Sequence, residues 1–284
     1  MNQKEQKWLV LLYSLNELNG GSQRSTILQH INDSGYWYKN DQNDTLRRTR
    51  NEMAWRNDFS FERQHLVEHG YMKSNGQGRW EITEEGKSQL TSLIEKAMNP
   101  TDCSEIYYTP AFFLKLLPEQ TASELQEDQL LIDRLAQPVA ETTTTQAPLS
   151  NSPQPKGPRA NNSAKGHTYL RDTAISKNAL DRAHHLCEID PTHKSFLRRN
   201  GLTLYMEPHH LIPISLTDFF DVNLDREQNI FSLCSHCHNQ IHYGAKEDVK
   251  ELISKLFLSR EREICSILGR EISLEDLYRI YDVL

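Results

Sequence analysis

Two short clusters hold most of the residues that could do chemistry in this 284-residue chain. One is Tyr205-Met206-Glu207-Pro208-His209-His210-Leu211-Ile212-Pro213, an apolar run with two adjacent histidines set between two prolines. The other is Asn229-Ile230-Phe231-Ser232-Leu233-Cys234-Ser235-His236-Cys237-His238-Asn239-Gln240-Ile241-His242. Cys234 and Cys237 have the spacing at which two thiolates converge on one tetrahedral ion. His238 and His242 stand four residues apart, which puts both rings on one face of a helix, as a pair of metal ligands requires. The thiolates suit a closed structural zinc site and the imidazoles an open catalytic cation. Adjacent residues of a strand point to opposite sides. His209 and His210 therefore serve one centre only if the strand is turned locally, and Pro208 and Pro213 bound such a turn.

The rest of the composition narrows the classes. Nine of the twelve histidines lie at or after His167, and three of the five cysteines sit among them. An odd cysteine count without a secretion leader favours metal ligation over a disulfide framework. His184, His185 and His236 read as structural or solvated side chains, and Cys103 and Cys265 as reduced structural thiols. The formal net charge of −7 argues against a uniformly basic nucleic-acid coat protein, although a local positive face fits within an acidic total. Mean hydropathy is −0.68 and no run approaches the ~20 apolar residues of a membrane helix. Trp8, Leu11, Leu12, Leu15 and Leu18 fall at helical spacing and read as a core helix rather than a leader, so a cytoplasmic protein is expected.

These clusters need elements to position them, and the chain divides into four segments. Residues 1–98 read as three helices followed by a short hairpin. Trp8 to Leu18 mark the first helix, Thr26, Ile27 and Ile31 the second, and Ala54, Phe59, Phe61, Leu66 and Val67 the third. Met72, the turn Asn75-Gly76-Gln77-Gly78 and Trp80-Glu81-Ile82 alternate as a hairpin before a helix through Leu90, Leu93 and Ile94. Three helices and a β-wing predict a winged helix. Residues 99–136 form an acidic helical connector, with two basic and seven acidic residues in 101–136. Its apolar patch (Tyr107, Tyr108, Phe112, Phe113, Leu114, Leu116, Leu117) is expected to pack on the winged helix, and a helix capped by Thr121 with Glu124 follows. Residues 137–166 hold five of the eleven prolines and four consecutive threonines, the composition of a disordered linker. Residues 167–284 carry the two clusters and then two helices, the last capped by Ser273 and Asp276. The fold class is α+β.

The order His209-His210, Asn229, Cys234-x-x-Cys237-His238-x-x-x-His242 resembles the HNH endonuclease family, over about residues 187–244. Cys187-Glu188-Ile189-Asp190 with His193 and Phe196 is similar to the lead-in of such proteins. The stretch from Trp55-Arg56-Asn57-Asp58 through His69-Gly70-Tyr71-Met72 to Gly78-Arg79-Trp80-Glu81-Ile82-Thr83-Glu84-Glu85-Gly86 resembles the N-terminal domain of Mrr-type restriction proteins. The HNH resemblance implies a ββα-metal domain that hydrolyses phosphodiester bonds. It makes His210 the general base and Asn229 the acceptor that holds the base ring in its working tautomer. His209, His238 and His242 would bind one divalent cation, Mg²⁺, Mn²⁺ or similar. HNH proteins with a structural zinc commonly supply two Cys-x-x-Cys pairs, but here Asp190 stands where a cysteine would. Cys187, Cys234 and Cys237 then need a fourth ligand, for which His193 suits zinc better than Asp190.

The expected partner is DNA, with Arg47, Arg48, Arg50 and Arg56 as phosphate contacts and Arg79 in the wing. The alternative for this module is protein interaction or dimerisation, since residues 1–100 carry 13 basic and 13 acidic residues. Arg260, Arg262 and Arg270 either line the DNA track or lie on a solvated helix face. The Mrr-like segment implies restriction or anti-phage defence, with other proteins of a defence system and a homodimer as further partners and no membrane. Two other readings stay open: a DNA-binding regulator whose finger is purely structural, and an HNH nuclease that cuts RNA.

Overall fold

The computed structural model describes residues 1–40, 43–47, 51–98, 105–117, 130–135, 149–159 and 169–284. They fall in two compact units, Met1–Leu116 and Leu117–Leu284. The helix expected at Thr121, and Arg48, Arg50, Cys103 and His167, lie outside the described residues.

In the first unit α1 (Gln3–Glu17) starts at a capping box. Asn2 Oδ1 accepts from the Glu5 amide at 2.9 Å and Glu5 Oε2 from the Asn2 amide at 3.0 Å, satisfying donors the helix leaves open. Trp8, Leu9, Leu11, Leu12 and Leu15 are buried, and α2 (Arg24–Asp33), α3 (Ala54–Glu68) and α4 (Glu84–Met98) pack around them. On α3 the buried positions run Trp55, Phe59, Glu62, Leu66. Phe61, expected in the core, falls off that stripe and is exposed. Glu62 takes the inward place because its carboxylate accepts from Trp8 Nε1 at 2.9 Å.

The hairpin expected between Met72 and Ile82 closes with a bridge between those two residues and a 2.9 Å bond from the Lys73 amide to the Glu81 carbonyl. The longer pairing is elsewhere. β1 (Gly21–Gln23) runs antiparallel to β4 (Arg79–Glu81), with Gly21 opposite Glu81. A Cβ at residue 21 would lie 2.8 Å from the Trp80 carbonyl oxygen, so glycine permits this approach. β2 (Leu46–Arg47) and β3 (Glu52–Met53) form a second small ladder before α3.

Residues 105–116 close the unit, and Leu117, counted in the expected apolar patch, falls in the second. Gln6 donates to the Glu105 carbonyl and accepts from the Tyr107 amide, and α5 (Pro110–Leu116) buries Phe112 and Phe113.

The second unit is built on α6 (Thr173–Arg182), an antiparallel pair of β5 (Glu207–His210) and β6 (Ile230–Leu233), and α8 (Ser235–Tyr243) directly after β6. Between the strands lie a 3₁₀ turn, α7 (Thr217–Phe220) and a second 3₁₀ turn, Glu227–Asn229. α9 (Lys246–Leu268) and α10 (Leu274–Ile280) follow, the latter capped by Ser273 and Asp276 as the sequence indicated.

Two expectations change in this unit. Residues 149–159, within the segment read as linker, are fastened to it. Arg226 and Gln228 donate to the Ser150 carbonyl, the Asn223 amide bonds the Gln154 carbonyl, and Lys156, Arg159 and the Tyr169 hydroxyl converge on the buried Asp218. Backbone carbonyls of a proline-rich segment are open acceptors, which is why composition alone did not show this. Arg260 is half-buried against the unit rather than on a solvated helix face. It breaks the helical geometry of α9 (φ −137°, ψ 22°), donates to the Glu227 and Ile230 carbonyls, pairs with Glu188 and lies 4.2 Å over the Phe231 ring. Arg270 stacks on Phe219 and Phe220.

Candidate metal centres

His209 leaves β5 toward α8, whose i, i+4 spacing presents His238 and His242 to it. One ring nitrogen from each of the three lies within 4.8 Å of the others. For two of them the remaining nitrogen is engaged in a way that fixes the tautomer. His209 Nε2 lies 3.0 Å from the Tyr281 hydroxyl, and that hydroxyl donates to the Leu211 carbonyl at 2.8 Å, so it accepts from His209. His238 Nδ1 gives its proton to Glu207 Oε2 at 2.7 Å. His209 Nδ1 and His238 Nε2 are buried and have no hydrogen-bond partner among the described residues.

Burial, followed by the neighbouring imidazoles and Arg171, holds His209 well below the usual imidazole range, in the neutral form that ligates metals. Burial pushes the Glu207 carboxyl up, but bonds from His238 and Ser235 outweigh it, so Glu207 stays below its ordinary value and ionised. Three imidazoles, each with a ring nitrogen turned toward the other two, fit a divalent cation, and a carboxylate behind one of them is the arrangement that orients a metal-binding histidine.

The second centre gathers Cys187, His193, Cys234 and Cys237, again within 4.8 Å. Cys187 follows α6, Cys234 caps α8 and Cys237 lies in its first turn. His193 Nδ1 is 3.3 Å from Cys237 Sγ and 3.7 Å from Cys234 Sγ. Asp190 is outside the group: its Oδ1 is taken by the Thr192 amide and hydroxyl, and its other oxygen is 3.9 Å from His193 Nε2. Burial and the adjacent sulfurs push the Cys237 thiol up; burial also opposes Cys187, but backbone amides and His193 bring that thiol below its ordinary value. Three sulfurs this close do not all ionise without a cation among them, and the three-cysteine, one-histidine donor set is one that zinc takes.

His210 points away from this pair of centres. The β5–β6 register is regular through His210↔Ile230, so no local turn brings the adjacent rings together, and they divide between the faces of the strand. His210 Nε2 lies 2.8 Å from Asp225 Oδ1, with both side chains buried, and its Nδ1 has no hydrogen-bond partner among the described residues. The bond expected from this ring to Asn229 is therefore made to Asp225. Asn229 instead accepts from the Ile212 amide at 2.8 Å and donates to the Ile212 and Leu224 carbonyls, pinning the chain after β5 to the chain before β6. Asp225 Oδ2 is itself held, by the Asp172 amide at 2.6 Å.

In the first unit Arg47 pairs with Asp58 at 2.9 Å, Arg56 lies 4.0 Å from Glu52 and stacks over Trp55, and Arg79 lies 3.7 Å from Glu81. The Arg56–Glu52 pair is half-buried and the other two more exposed, and exposed ion pairs are worth about 0–1 kcal/mol each. His236 is exposed, and His185 is bonded to Asp181 at 2.8 Å.

Residues 6–92 match the Mrr N-terminal domain and residues 194–244 the HNH endonuclease domain. A type IV methyl-directed restriction enzyme, EcoKMcrA of Escherichia coli, is 31% identical over 94 residues. The match takes in 33% of this chain and spans about a third (31%) of that relative. No solved structure matches the chain.

Proposed function

We propose that this chain, in which an Mrr N-terminal domain precedes an HNH endonuclease domain, is a metal-dependent DNA endonuclease of the restriction type. The observation that carries the reading is the histidine centre: three imidazoles with nitrogens facing one another, one of them on the strand whose next residue, His210, is held by a carboxylate. His209, His238 and His242 would hold a divalent cation, which when bound would supply Lewis-acid polarisation of a phosphate and charge stabilisation for the departing oxygen. His210, with Nε2–H given to Asp225, keeps the Nδ1 lone pair to take a proton from water as its oxygen attacks phosphorus. The P–O3′ bond breaks, and the 3′ oxygen leaves and takes a proton from solvent, giving a 5′ phosphate and a 3′ hydroxyl. Glu207 and Tyr281 hold the ligand tautomers and do not meet substrate. Zinc at Cys187, His193, Cys234 and Cys237 would fasten the start of α8 to the loop after α6.

The first unit, read as a winged helix with β1·β4 and the 73–78 loop as its wing, places this nuclease on DNA through Arg47, Arg56 and Arg79. The relative's methyl-directed activity makes methylated duplex the substrate to try. The test is incubation of the full chain with labelled methylated and unmethylated duplex, single strands and RNA, with Mg²⁺ or Mn²⁺. Duplex DNA is expected to be cut, and His210→Ala to abolish cutting with the melting temperature retained. Cleavage of RNA alone, or cleavage untouched by His210→Ala, overturns the reading.

A further inference from the structure

Residues 195–205, which lead into β5, form a hairpin with an unusual surface. It is well made: Leu197 bridges Leu204, the Arg198 amide bonds the Thr203 carbonyl at 2.9 Å, and the Tyr205 amide bonds the Phe196 carbonyl at 2.8 Å. Gly201 turns the chain at φ +68°, and Asn200 Oδ1 accepts from the Leu202 amide at 3.0 Å. Yet this ordered hairpin shows Phe196, Leu197 and Leu202 to solvent at 63%, 58% and 78% exposure. Single exposed apolar side chains are ordinary, but three in seven residues of one hydrogen-bonded hairpin are not.

The two faces differ. Phe196 stacks on Tyr205 with centroids 4.7 Å apart, and Arg198 on the same side donates to the Leu135 carbonyl. Alternation puts Leu197 and Leu204 on the opposite side. The charge is one-sided as well. From Pro191 to Met206 the chain carries Lys194, Arg198 and Arg199 and no acidic residue, within a protein of net charge −7, and Lys194 and Arg199 are exposed.

We infer that this hairpin is a DNA wedge, its leucines entering between base steps of a duplex while Arg199 and Lys194 meet the flanking phosphates. The inference rests on the proposed reading that duplex DNA is the substrate, and it adds where the duplex is gripped. Apolar side chains flanked by cations are the means by which proteins unstack and kink a duplex, and a wedge must be stiff to hold a step open. A hydrogen-bonded hairpin whose last residue lies two positions before β5 meets that requirement and delivers the distorted backbone beside the strand bearing His209 and His210.

The experiment uses the full chain carrying His210→Ala, so that DNA is bound and not cut, and a fluorescein-labelled 24-base-pair duplex with or without a central mismatch. The unmutated hairpin is expected to prefer the mismatched duplex, whose base step opens at less cost. Leu197→Ser with Leu202→Ser should weaken binding about 10-fold and erase that preference, with melting temperature and oligomeric state unchanged. Leu202→Ser alone, at the most exposed position, should act in the same direction if the double variant does not fold. Binding within about twofold of the parent overturns the wedge, as does a dimer that falls to a monomer in the double variant, since the leucines then face a second copy. A wild-type chain that neither binds nor cuts DNA overturns the proposed function with it, whereas one that cuts DNA while the serine variants bind unchanged overturns the wedge alone.

Discussion

At the scale of residues, what spacing can encode was readable and what tertiary contact creates was not. Cys234 and Cys237, and His238 and His242, are set by positions along one stretch of chain, and the structure brings them into two separate donor groups. His193, preferred on the chemistry of a thiolate set, lies against the sulfurs while Asp190 turns to Thr192. Asp225, Glu207 and Tyr281 gave no signal, because each acts on a histidine from another part of the chain, Tyr281 on one 72 residues away. Asn229 was singled out by resemblance, and its amide proves to join two backbone segments. These contacts yield distinct expectations. Asp225→Ala frees the His210 ring to rotate and should lower kcat about 10²-fold in a cleavage assay, the lower end of what a general base contributes, with KM little changed. Glu207→Gln keeps shape but removes the charge behind His238. Divalent-cation affinity, read by titrating Mn²⁺, should fall about 10-fold to 100-fold.

At the scale of elements, helices were legible because their apolar stripes and caps are local, as with Trp8 to Leu15 of α1 and Ser273 of α10. β1 was missed: three residues, Gly-Ser-Gln, have neither alternation nor β-branched side chains, and they form a strand only because β4 lies opposite. The break in α9 was equally silent, since Arg260 is an ordinary helix former whose role depends on carbonyls at Glu227 and Ile230. Those two carbonyls flank the turn that introduces β6, so Arg260 ties α9 to the strand that runs into α8. Its removal leaves Glu188 without this cation and two carbonyls without their donor. Arg260→Ala should therefore cost about 2–3 kcal/mol of unfolding free energy in a urea titration, more than an exposed ion pair is worth.

At the scale of the whole molecule, composition located the chemistry and misjudged one boundary. Composition predicts a free linker from Gln137 to Gly166, yet residues 149–159 belong to the second unit through Asp218, Arg226 and Gln228. The acid that makes the chain −7 therefore says less about DNA than where the cations sit. Within the second unit, the two donor groups share α8 but differ in chemistry, and that separates their loss. Cysteine thiolates and His193 offer zinc a closed set of four, so this ion should hold the fold. Three imidazoles leave coordination positions open, so the other ion should exchange. Elemental analysis of purified protein should give one zinc per chain after dialysis against a weak chelator, with cleavage restored by Mg²⁺ or Mn²⁺. Cys234→Ser should release that zinc and lower the melting temperature, because the ion's binding energy is folding energy. His238→Ala should keep the zinc and lose only cleavage. Zinc that leaves with His238, or a melting temperature indifferent to Cys234, would mean that the four-ligand set does not hold the unit together.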